Sequence, residues 1–148
     1  IAPMLSIIQN KGSQNGPIIL VFGSTSPKVH GKLIEELNKE KENGSLADVL
    51  YAWSDEDILN KDAKTLGSAS EIEKNTEDKI IEVMKSNKTL LWSYWSDPSA
   101  AFYYCGIPGP LPDKLKEFLL QITIDEGFLS IEEAMATNNR HQVFVEVF

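Results

Sequence analysis

The chain has 148 residues, the length of one domain able to bury a substantial core. Its 22 Asp and Glu against 14 Lys and Arg give a formal charge of −8. That balance argues against nucleic acid and against an anionic membrane surface, both of which demand a basic face, and it leaves a basic protein as the partner that electrostatics would favour. Cys105 is the lone cysteine, so no disulfide closes within the chain, no cysteine-rich metal site exists, and a reducing compartment is favoured. No apolar run approaches the roughly 20 residues needed to span a bilayer. The stretch Ile1–Gln9 is too short, and lacks the preceding basic residues, for a signal peptide.

In chain order, residues 1–16 read as an N-terminal arm and a polar loop, and 17–148 as a single α/β domain. Residues 1–9 suit an edge strand or a docking turn. Ile18–Phe22 is an unbroken apolar run between Pro17 and Gly23, the pattern of a strand buried on both faces of a parallel sheet. Ser26 is a natural N-cap and Pro27 a natural first helical residue, which predicts a helix from Pro27 to about Glu42. Val29, Leu33, Ile34 and Leu37 share its apolar face, and Asn43-Gly44 ends it in a left-handed cap.

Ala47–Trp53 is the second expected strand, and Glu71–Ser86 the second helix. A helical turn is expected around Ile58 and Leu59 between them. Thr89–Trp95, TLLWSYW, reads as the third strand on its aromatic content. The run CGIPGPLP from Cys105 to Pro112 reads as irregular. A third helix fits Pro112–Ile122, and Ser130 with Glu133 forms a capping box for a short helix ending near Thr137. Gln142–Phe148 alternates as a last strand.

This order predicts a mainly parallel sheet of about four strands with helices on both faces, the last strand free to run antiparallel at an edge. The strand–turn–helix start resembles Rossmann-like and flavodoxin-like three-layer sandwiches, a resemblance of architecture that implies no function.

The three expected strands end alike, in Gly23-Ser24-Thr25, Ser54-Asp55 and Ser96-Asp97. Ligands of open parallel sheets bind beyond the carboxyl ends of strands. Gly23, Ser24, Thr25, Ser54, Asp55, Ser96 and Asp97 are therefore the candidate ligand contacts, for a phosphorylated or polar small molecule. Free N–H groups at the start of the Pro27 helix would serve an anion. The competing expectation is that these Ser and Asp residues only cap the following helices. Neither GxxxxGKS or GxxxxGKT nor the three-glycine dinucleotide fingerprint is present. Asp55 and Asp97 would hold Mg²⁺ only if they faced each other, and no metal site is expected.

Cys105 would need a base, and His30 and His141 are the two histidines; an inert structural cysteine is the expectation. Phe102, Tyr103 and Tyr104 are either a protein-contact surface or core beneath the Pro-rich loop. No catalytic residue and no cofactor is assigned. The first reading is a non-enzymatic binding or protein-interaction domain with an acidic surface. The alternative is a small enzyme or ligand-binding protein using the strand ends.

Overall fold

The computed structural model describes residues 8–9, 16–54, 69–106 and 109–147. The chain divides between Met84 and Lys85 into two compact units.

In the first unit, strand β1 (Ile19–Ser24) pairs in parallel with β2 (Asp48–Trp53), Ile19 opposite Asp48 and Ser24 opposite Trp53. Parallel strands need a crossover, and here it is helix α1 (Gly31–Glu42). The helix expected to begin at Pro27 is instead a single 3-10 turn over Pro27–Val29, with α1 starting after His30. His30 breaks the run because its backbone (φ −122°, ψ 26°) lies outside the helical basin. Val29, expected on the buried stripe, is consequently 72% exposed. Gly44 ends the segment at φ +87°, the left-handed cap that its sequence predicts.

Strand alternation places Ile18, Leu20 and Phe22 on one face of this pair. They pack with Leu33 and Leu37 of α1, with Leu46, Val49 and Tyr51, and with Ile8, which is buried in a helical piece rather than on an edge strand. The opposite face meets helix α2 (Ala69–Ser86), where a Cβ on Gly23 would collide with the Ile80 side chain. The expected turn around Ile58 and Leu59 lies outside the described residues.

In the second unit, Lys88–Trp95 is a helix, α3, not the third strand. Its apolar residues Leu90, Leu91, Tyr94 and Trp95 fall at helical spacing, and Trp95 is the buried one. In a run this short, aromatic content suggested a strand while spacing permitted a helix, and packing against α4 decides the outcome. Five residues further on comes strand β3 (Ala101–Gly106), whose last two residues, Cys105 and Gly106, open the run expected to be irregular. The prolines at 98 and 108 flank this stretch and do not interrupt it, so its backbone is free to pair.

Helices α4 (Leu111–Gly127) and α5 (Ile131–Asn138) follow, then β4 (Gln142–Val147). Strand β4 runs parallel to β3, Tyr103 opposite Phe144, rather than antiparallel at an edge. Ser130 caps α5 by accepting from the Glu133 N–H at 3.2 Å, as its capping box predicts. The unit's core is Trp95, Leu115, Phe118, Leu119, Ile122 and Ala134. Buried polar groups pin it. Trp95 Nε1 donates to Asn138 Oδ1 at 3.0 Å, and the Thr123 hydroxyl is shared between that oxygen and the Leu119 carbonyl. His141 stacks on Trp95 at 3.9 Å and donates from Nδ1 to the Ala100 carbonyl.

The class is therefore mixed α/β with parallel strands joined through helices. The single sheet of about four strands is not formed among the described residues, which hold two parallel sheets of two strands each.

Candidate functional site

At the carboxyl end of β1, Ser24 lies on the sheet face that packs against α1, and its hydroxyl is 2.7 Å from His30 Nε2. The imidazole is held by aromatic rings. Phe22 meets it edge-on at 5.2 Å, and Trp53 lies near-parallel to it at 6.3 Å, itself stacked on Tyr51 at 5.3 Å. Burial pushes the Tyr51 phenol pKa up, with Lys41 opposing, and its shielded hydroxyl finds no partner among the described residues.

Ser54 follows β2 directly and turns to the other face. It is fully buried and accepts from the Thr76 hydroxyl of α2 at 3.2 Å. Ser24 and Ser54 therefore point away from one another across the sheet, and Gly23 is closed off by Ile80. Thr25 stays half-buried beside Ser24. Asp55 lies outside the described residues.

The turn at Pro27 does not present the free donors that an anion needs. Pro27 has no N–H, Lys28 N–H goes to Ser26 Oγ, Val29 N–H to the Ser26 carbonyl, and His30 N–H to the Pro27 carbonyl.

Ser96 and Asp97 follow a helix, not a strand, so they are not part of a parallel strand-end set. Ser96 is the C-cap of α3, and exposed Asp97 accepts from the Ser99 N–H at 2.9 Å and the Ser99 hydroxyl at 2.8 Å. The Ser99 backbone donor, then its hydroxyl, hold the Asp97 carboxyl below the usual aspartate range. This is the local turn chemistry of an aspartate two residues ahead of its donor. No group of three or more His, Cys, Asp or Glu among the described residues is placed to hold a metal ion. No helix among them is long and apolar enough to cross a membrane.

Phe102 and Tyr104 are half-buried in β3, while Tyr103 is 45% exposed and stacks on Phe144 across the ladder at 4.6 Å. Cys105 is half-buried in the same strand, not on an exposed loop.

Three exposed apolar residues of the second unit were not singled out from the sequence. Phe128 is 93% exposed, and Ile131 and Met135 of α5 are 63% and 50% exposed. Met135 also lines a cavity of about 210 Å³ with Trp95, Leu119, Leu120 and Val143, and with the polar Lys116, Asn138 and Asn139. Phe128 is the C-cap of α4 and adopts φ +54°, ψ +40°, the left-handed conformation that favours glycine. Glycine sits one position earlier, where a Cβ would press on Trp92 at 3.2 Å, so close packing claims Gly127 and the left-handed turn falls on Phe128. The readable signal is Ile131 and Met135, four residues apart on α5.

No protein-family model matches the chain, and no curated protein matches it.

Proposed function

We propose that the chain is a protein-interaction domain that receives a basic amphipathic helix on the strip Phe128–Ile131–Met135 and the adjoining cavity. The observation that carries this reading is Phe128. A bulky side chain in a left-handed backbone costs roughly 1–2 kcal/mol, and this one gains nothing from burial in return. A partner that covers the ring supplies the missing return. Charge sets the partner's chemistry: Asp125, Glu132 and Glu133 flank Phe128 in the sequence, in a chain of formal charge −8, while Glu126 is already paired with Lys88 at 3.9 Å. The basic end of the incoming helix lies against these carboxylates, and its apolar residues enter beside Met135.

Fluorescence anisotropy with a labelled synthetic Leu/Lys amphipathic helix tests the proposal. The peptide binds, and Phe128→Asp with Met135→Asp weakens it roughly tenfold or more, the loss expected of a central apolar anchor. A peptide of the same composition with its apolar stripe scrambled binds at least tenfold less well. Equal binding of both peptides, or unchanged affinity in the double variant, contradicts it.

A second reading, a polar small molecule at the carboxyl end of β1, is favoured by one contact, the hydrogen bond between Ser24 and His30. On this reading Ser24, Thr25 and His30 form the contact set.

A further inference from the structure

We propose that Ser24 is a nucleophile that accepts an acyl or phosphonyl group from an activated reagent, with His30 as the base that takes its proton. The inference rests on the strand-end reading and uses none of the docking strip. A serine hydroxyl becomes nucleophilic when a base within hydrogen-bond reach accepts its proton, and His30 Nε2 stands at 2.7 Å. With the ring proton on Nδ1, Nε2 carries the lone pair that this transfer needs. Phe22 and Trp53 fix the ring plane, so the pair is held rather than met by chance.

The neighbouring hydroxyls lack this arrangement. Ser26 caps the 3-10 turn by accepting from Lys28 N–H, and Ser54 is fully buried against Thr76. Ser24 is half-buried at the end of a parallel strand, where a ligand can reach it. The flanking aromatic rings suit an aromatic or apolar acyl group.

With an activated ester, the Ser24 Oγ–carbon bond forms as the ester carbon–oxygen bond breaks. The Ser24 proton passes to His30 Nε2 and then to the departing alkoxide. With a fluorophosphonate, the Oγ–phosphorus bond forms, fluoride leaves, and the proton remains on His30. No hydrogen bond reaches Nδ1 among the described residues, so the expected behaviour is a single slow modification rather than rapid turnover.

The test is fluorophosphonate labelling of the full chain, with the site found by peptide mass mapping. One label forms on Ser24, and Ser24→Ala abolishes it. His30→Gln slows it about 100-fold, the lower range for a positioned base, while Ser45→Ala leaves the rate unchanged. His30→Asn serves as the second variant, and circular dichroism confirms that each variant is folded. A label confined to other residues, or formed on Ser24 at an unchanged rate in folded His30→Gln or His30→Asn, overturns the proposal. Chemical shifts of Thr25 and His30 on adding inorganic phosphate report the strand-end reading separately. Shifts without labelling overturn the nucleophile and leave the ligand site; labelling without shifts supports the nucleophile and removes the phosphate ligand.

Discussion

Single residues carry most of the functional argument. Phe128 sits in a backbone conformation suited to glycine, with its ring in solvent. Phe128→Gly removes that strain, so the chain gains about 1 kcal/mol by chemical denaturation while affinity for the amphipathic helix falls. A loss of stability, or a gain without loss of binding, would tell against the role given to Phe128. Asp97 makes a pH-dependent contribution whose sign follows from its lowered pKa. Unfolded, it titrates near the ordinary ~3.9; folded, the two Ser99 donors keep it ionised to lower pH. Its stabilising share is therefore present above about pH 4 and is lost as pH falls through the folded value. Ser99→Ala should raise the Asp97 titration midpoint, read from its side-chain carbonyl shift, and no movement would refute the assignment.

At the scale of elements, legibility followed how far local signals agreed. Ile18–Phe22, Ala47–Trp53 and the capping box at Ser130 each combined a strong pattern with clear boundaries, and each appears close to where it was expected. Lys88–Trp95 went wrong because aromatic residues favour strands while their spacing fits a helix, and eight residues are too few for period to overrule propensity. Ala101–Gly106 was hidden by prolines that flank it without entering it. The pairing of Ser24 with His30 was only half visible. Both residues stand out in the sequence, but the 3-10 turn that brings a hydroxyl and an imidazole six residues apart into contact depends on His30 leaving the helical basin. The Phe128 strip left almost no trace, because it depends on Trp92 occupying the space above Gly127. The β1 assignment has its own test. Leu20 is 8% exposed in a core with Leu37 and Leu46, so Leu20→Ala should cost about 2–5 kcal/mol in urea unfolding. A cost near zero would remove Leu20 from the core.

Across the whole molecule, the formal charge of −8 would steer the approach of the basic partner proposed above. Exposed charges attract over about 8 Å at physiological salt, so raising salt should slow association with the Leu/Lys helix more than it speeds dissociation. Stopped-flow measurement at low and high salt reads both rates, and a salt effect confined to dissociation would contradict steering. The proposed docking places the helix on one strip of the second unit. Hydrogen–deuterium exchange with and without the peptide tests it most directly. Docking there slows exchange in peptides spanning Phe128–Met135, together with those lining the cavity around Leu119 and Val143, and changes little across β1 and β2. Protection centred on β1 and β2, or none at the strip while the peptide is bound, would contradict it.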